Sequence, residues 1–366
     1  MGMPAFDYPA RLERARALMA ARGIDALLLS VGADLPYFTG YRAMPLERLT
    51  MLVLPVEGPA TLVVPALEAP RVVPCPEAFR LEPWDEGEDP LAQVARYCGP
   101  GWRLAVGDAT WSVFTLALQE RLPGASFVAA SPLTGELRAR KEPGEIELLR
   151  QAGAAADRVV ARLDGTRFSG RTERQLSAEV AALVVEEGHE AATFSIVGSG
   201  PNSASPHHEA GDRVIGAGDA VVLDFGGRLQ GYHSDITRTF FVGAPPARFR
   251  EVYAVVREAQ AAGVEAAGPG VAAQEVDRAA RRVITAAGYG PSFMHRTGHG
   301  IGLEEHESPY LIEGNTGLLE PGMAFSVEPG IYLPGEFGIR IEDVVVVTGA
   351  GVEPLTAAPH GLHLAD

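Results

Sequence analysis

Residues 221–240 read Val-Val-Leu-Asp-Phe-Gly-Gly-Arg-Leu-Gln-Gly-Tyr-His-Ser-Asp-Ile-Thr-Arg-Thr-Phe. Two apolar, β-rich runs flank a glycine-rich turn, which predicts a hairpin with Asp224 in the first strand and Asp235 opening the second. Strand pairing would bring the two carboxylates to one point. Turn-flanking aspartates satisfied by backbone N–H groups would give the same pattern. A carboxylate inside Val-Val-Leu-Asp-Phe is nevertheless costly to bury unless it is paired or holds a metal.

Upstream, Ile146, Leu149, Gly153, Ala156, Val160 and Leu163 fall on one helical face, and Thr172-Glu-Arg-Gln175 is a capping box opening a second helix that stops at Gly188. The layout recurs after about a hundred residues. Helices are predicted over 249–267 and 274–287, then strands over 323–331 and 338–347. This recurrence predicts a duplicated α/β unit whose halves face each other across a cleft. All nine histidines lie in this part of the chain: His189, His207, His208, His233, His295, His299, His306, His360 and His363.

The amino-terminal third is a separate α/β pattern. Leu12, Ala15 and Met19 have helical spacing, Gly23 ends that helix, and residues 25–30 follow as a buried strand. Residues 49–54 and 61–64 flank Val56-Glu-Gly-Pro59 as a hairpin; a strand at 103–106, a helix at 113–122 and a strand at 126–130 complete the set. The polar, breaker-rich stretch beginning Ser131-Pro-Leu-Thr-Gly predicts a linker. The expected division is a domain over 1–131, a linker over 132–143 and a second domain over 144–366.

Composition narrows the function classes. The 366 residues carry 31 Lys plus Arg against 47 Asp plus Glu, and a net charge of -16 repels nucleic-acid phosphates. Two cysteines, Cys75 and Cys98, are too few for a disulfide framework and are expected to pack in the first domain. The amino terminus lacks the apolar centre of a signal peptide, and no apolar run is long enough to span a bilayer. A cytoplasmic protein that binds neither nucleic acid nor membrane is expected.

His299 stands between glycines in Arg296-Thr-Gly-His-Gly-Ile-Gly302, and Glu328 and Glu342 sit in strand-like stretches. Period-2 geometry puts Ser326 with Glu328 on one face and Arg340 with Glu342 on another. Taken singly, each acid could be an ordinary salt-bridged glutamate. Asp224, Asp235, His299, Glu328 and Glu342 together form an oxygen-rich donor set that suits Mn²⁺ or a similar divalent ion. Four carboxylates balance two such ions, an arrangement that activates water and clamps a carbonyl in aminopeptidases.

The stretches Leu-Asp-Phe-Gly-Gly, Ser-Asp-Ile-Thr-Arg-Thr-Phe, Gly-His-Gly-Ile-Gly-Leu-Glu-Glu-His-Glu, Ser-Val-Glu-Pro-Gly-Ile-Tyr and Ile-Arg-Ile-Glu-Asp resemble, in order and spacing, the five ligand blocks of the M24 metallopeptidases. The match is to the Xaa-Pro dipeptidase (prolidase) and aminopeptidase P branch, and it covers nearly the whole chain. It implies a creatinase-like amino-terminal α/β domain followed by a pita-bread catalytic domain with pseudo-twofold halves. It also implies that Asp224 holds one metal, His299 and Glu328 the other, and Asp235 and Glu342 bridge both. Two divalent ions per subunit are expected, Mn²⁺ first, with Co²⁺ or Zn²⁺ as alternatives. Glu328 would exchange a proton with a bridging hydroxide; His207, His295, His306 and Arg340 match residues beside the scissile bond. His207 is preferred to His208 because it directly follows Pro206.

The implied substrates are small peptides with proline second, and the implied assembly is a homodimer. A dipeptidase must also recognise a free carboxylate beyond proline, a role suited to arginine. The stretch from Asp34 to Arg42, with Arg48, reads as a loop in which Asp34 would meet the substrate amine and Arg42 or Arg48 the carboxylate. Aminopeptidase P is the alternative activity. A non-catalytic pita-bread binding module is the alternative of another class, and unbroken ligands argue against it, as they do against a metal-free creatinase.

Overall fold

The computed structural model describes residues 6–366, and the chain divides into two compact units between Arg138 and Ala139. In the amino-terminal unit a six-stranded sheet runs in the order Phe79–Trp84, Ala60–Pro65, Met51–Pro55, Ala26–Leu29, Arg103–Val106, Ser126–Ala129. The hairpin 51–65 is antiparallel, while the strands at 26, 103 and 126 run parallel, as the helical crossovers between them require. Helix Tyr8–Arg22 buries Leu12, Ala15 and Met19 and ends at Gly23 with a left-handed φ of 62°. Cys98 packs against the core of this unit, and both cysteines are free.

The stretch expected as the linker contains the division between the units and is largely helical: Ser131–Ala139 is a helix with Leu133, Thr134 and Arg138 buried. Its proline sits in the first turn, where a missing N–H costs nothing. One expectation is corrected: the stretch from Asp34 is no loop, since Asp34–Thr39 is a short helix closed by Gly40. Asp34 accepts bonds from Thr134 Oγ1 at 3.0 Å and Arg138 Nη1 at 2.8 Å, so these two helices hold each other.

The second unit carries the duplication. Helices Pro143–Leu163 and Glu173–Glu186 precede one five-stranded sheet; helices Ala247–Ala266 and Ala273–Ala286 precede another. Thr172 caps its helix reciprocally with Gln175, as the sequence predicts. Ser177 and Asp277 occupy the same position of two helices of 14 residues each. Ser177 Oγ bonds Ser195 O at 2.7 Å, and Asp277 Oδ1 accepts from Thr297 Oγ1 at 2.8 Å, so each helix is tied to the segment that follows it. Leu176, Val180 and Val184 anchor the first helix in one core cluster and Val276 anchors the second in another. Each such burial is worth about 1.5–3 kcal/mol.

Asp224 lies in strand Ala220–Leu229, paired antiparallel with Ile236–Val242, so the predicted hairpin forms. The predicted strands over 323–331 and 338–347 are instead each broken once, giving Ala324–Val327, Gly330–Leu333, Phe337–Arg340 and Asp343–Val347. The breaks fall at Glu328 and beside Glu342. At the second break Glu342 N donates to Thr237 O at 3.1 Å, which joins the two halves of this unit.

Candidate metal centre and active site

Each acid reaches the centre through a local feature of its chain. Asp224 projects from a paired strand, and Asp235 stands at the start of the next one. Gly298 and Gly300 flank His299 because a Cβ at either position would overlap the carbonyl oxygen of Ser326 or Ser308. Arg238, fully buried, donates to Thr237 O at 2.9 Å and Glu342 O at 2.6 Å and pairs with Asp343 at 2.7 Å, which fixes the backbone carrying Glu342.

Asp235, His299 and Glu342 offer donor atoms all within 4.8 Å of one another. His299 Nε2 lies 3.6 Å from Asp235 Oδ2 and 3.4 Å from Glu328 Oε1. Its Nδ1 is 3.1 Å from Gly300 O. A carbonyl only accepts, so Nδ1 carries the proton, and Nε2 turns a lone pair toward the carboxylates. Burial, with His306 and its ring centroid 3.9 Å away, lowers the imidazole to about 3 and keeps it neutral. Lone pairs converging on lone pairs make a place that a shared cation would fill.

The carboxylates carry the same message. Burial, then the charges of Glu342, Asp224 and Glu328, pushes Asp235 well above the usual range. Burial, Glu328 and Asp224 do the same to Glu342, and burial raises Glu328 to about 7. Asp224 Oδ1 and Glu342 Oε1 are buried with no hydrogen-bond partner among the described residues. Their second oxygens are held: Glu342 Oε2 accepts from Thr237 Oγ1 at 2.6 Å, and Asp224 Oδ2 accepts from Arg340. Two orphaned oxygens, crowded acids and a neutral imidazole fit hard or borderline divalent cations.

A hydrogen-bond chain leads away from Arg340. Its Nη1 donates to Tyr332 Oη at 2.8 Å, Tyr332 donates to His295 Nε2 at 2.8 Å, and His295 Nδ1 donates to Arg296 O at 2.7 Å. Arginine can only donate and a carbonyl only accept, so every proton in the chain is placed. Burial and the Arg340 charge lower His295 to about 4. His306 is lowered by burial and by Arg296. His207, His295 and His306 line one cleft of about 1090 Å³ with Asp224, Asp235, His299, Glu328, Arg340 and Glu342.

Asp34, Arg42 and Arg48 belong to the amino-terminal unit. Arg48 donates to Glu86 and Glu47 at 2.7 Å each, and Asp34 is engaged by Arg138. Sequence reasoning passed over Thr237, Tyr332, Asp277 and Glu173. Glu173 is fully buried beside the cleft and accepts from Ser199 N, Ser199 Oγ, Asn202 Nδ2, His208 Nε2 and Gly211 N. It thereby holds the turn that carries His207.

A buried, oxygen-rich pocket that could hold metal opens into a histidine-lined cleft, a site suited to metal-dependent hydrolysis. The family model for metallopeptidase family M24 matches residues 147–349, and that for the creatinase/prolidase N-terminal domain matches residues 11–140. The chain belongs to metallopeptidase family M24. It is 45% identical to the probable dipeptidase PepE of Mycobacterium tuberculosis over 99% of this chain and 98% of that one. Identity to the Xaa-Pro dipeptidase of Lactobacillus delbrueckii subsp. lactis is 34%, over 94% and 96%. The structure of a prolidase from Thermococcus sibiricus superposes with a TM-score of 0.93 at 35% identity, over 99% and 100%. The pita-bread fold with a creatinase-like amino-terminal domain follows from these matches. No helix among the described residues is long and apolar enough to cross a membrane.

Proposed function

We propose that the chain is an Xaa-Pro dipeptidase that hydrolyses the imide bond before a carboxy-terminal proline. The observation carrying this reading is the set of Asp224, Asp235, His299, Glu328 and Glu342, with two orphaned oxygens and one imidazole lone pair turned toward the acids, in a cleft lined by four further histidines, His207, His208, His295 and His306. The names borne by the relatives favour a dipeptidase over aminopeptidase P.

Asp224 would hold one divalent ion, His299 and Glu328 a second, and Asp235 and Glu342 both, with Mn²⁺ the expected metal. When bound, such ions supply Lewis acidity toward the carbonyl before proline and lower the pKa of an attacking water. Glu328 would accept the attacking water's proton and return it to the imino nitrogen, which cannot leave as an anion. An imide has no N–H, so a site built on side chains rather than on strand pairing suits this substrate. His207 and His306 orient the substrate carbonyl. His295, neutral and fully bonded, holds the wall of the cleft, and Arg340 keeps one Asp224 oxygen fixed and the other aimed into the centre. The same proposal extends to a cytoplasmic homodimer.

The test is to strip the protein with chelator, restore Mn²⁺, and compare Ala-Pro with Ala-Pro-Ala. Restored cleavage of Ala-Pro supports the dipeptidase. A preference for the tripeptide moves the activity to aminopeptidase P, and cleavage of neither removes the proline-specific reading.

A further inference from the structure

Four arginines line the cleft, and no lysine among the described residues does. Three of the four are engaged by acids. Arg174 pairs with Asp212 at 3.1 Å, Arg281 grips Asp277 with two nitrogens at 2.9 Å each, and Arg340 binds Asp224. Arg296 has no carboxylate in ion-pair range among the described residues. Its guanidinium lies 4.6 Å from the centroid of the Tyr310 ring, and Tyr310 pairs with His299 across the antiparallel strands. Stacking fixes the plane of a guanidinium and leaves its N–H edge free.

We propose that Arg296, held flat by Tyr310, is the specificity-determining residue that receives the terminal carboxylate of the dipeptide. The inference rests on the Xaa-Pro reading, since a dipeptide differs from a longer peptide in the charge immediately beyond proline. A half-buried cation without a partner is an anion receptor, and a planar fork binds a carboxylate through two parallel bonds. Arg296 is also well located for this, in the segment that ends in His299, and its charge is felt at Glu328 and His306. The sequence-based candidate Arg48 already spends its Nε and Nη1 on Glu86 and Glu47.

The experiment compares Ala-Pro with Ala-Pro amide on the Mn²⁺-loaded wild type, Arg296→Met, Arg296→Lys and Tyr310→Leu, with melting temperature and bound Mn²⁺ recorded for each. The wild type should prefer the acid. Arg296→Met should erase about 10–100-fold of the acid-to-amide preference, mainly through KM for the acid, and Arg296→Lys should recover part of it. If Arg296→Met does not fold, Tyr310→Leu must lower the same preference. Equal losses on acid and amide, or an unchanged preference, overturn the assignment while leaving the dipeptidase reading standing. Absence of Ala-Pro cleavage by the loaded wild type overturns both.

Discussion

Arg340 and Asp224 stand guanidinium to carboxylate at the inner wall of the cleft, and the bond occupies one Asp224 oxygen while the other is left buried and unpartnered. Arg340 also reaches Tyr332 Oη at 2.8 Å and Thr237 Oγ1 at 3.1 Å, so one planar side chain orients three groups around the candidate metal centre. A lysine ammonium cannot reproduce that fork. Arg340→Lys is expected to lower kcat/KM for Ala-Pro by about 100-fold, and Arg340→Met to cost about 3–5 kcal/mol of stability by stranding a buried carboxylate. Steady-state kinetics and urea unfolding check the two numbers; near-wild-type values for both would remove Arg340 from the centre.

Glu328 is expected to be the proton carrier. Glu328→Gln keeps shape but cannot titrate, and should reduce kcat by about 10²–10⁴-fold. Because burial raises Glu328 to about 7, the acid limb of the metal-free protein's ionisation belongs in that region. A Glu328→Gln enzyme with wild-type kcat would exclude the role.

The crowded acids predict a pH signature for the stripped protein. Asp235, Glu342 and Glu328 all have folded values above those of the unfolded chain, which lie at about 4. Between the two, the folded state binds more protons, so stability is greatest below the unfolded value and falls as pH rises through the folded ones. The melting temperature of chelated protein should therefore drop from pH 5 to pH 8, while Mn²⁺ should reverse the drop and release protons on binding. A chelated protein that gains stability over this interval would contradict the crowding.

Glu173 anchors the turn that carries His207 by accepting from five donor atoms, with Asn202 Nδ2 reaching both of its oxygens. Burial raises its carboxyl, but the bonds from Ser199, His208 and Asn202 outweigh that and leave it lowered. Glu173→Ala is expected to cost about 3 kcal/mol or more, since several buried donors lose their acceptor. Glu173→Gln should fold better yet raise KM for Ala-Pro by displacing His207. Denaturant midpoints and KM values separate these effects, and an unchanged KM in the folded variant would confine Glu173 to structure.

Much of the candidate centre was legible because its residues sit in local patterns. Asp224 interrupts an apolar strand, His299 stands between two glycines whose space is filled by Ser326 O and Ser308 O, and Glu328 and Glu342 follow strand residues at period two. What escaped depends on contacts between distant segments. Tyr332 acquires its role only where Arg340 and His295 converge, and Asp277 with Arg281 looks like any i,i+4 helix pair until Thr297 is seen to bond it. Strand Ala191–Ser199 went unread because most of it is half-buried on both faces and carries no alternation. The helix Ser131–Ala139 was hidden by polar residues that are satisfied internally, among them Arg138 against Asp34.

The central claim is a metal pair, and the most direct test is to titrate chelated protein with Mn²⁺ while following bound metal and Ala-Pro hydrolysis in the same sample. Two ions per chain are predicted, with hydrolysis rising to its maximum as the second binds. Full hydrolysis of Ala-Pro by metal-free protein, or saturation with Mn²⁺ that produces no hydrolysis, would contradict the claim.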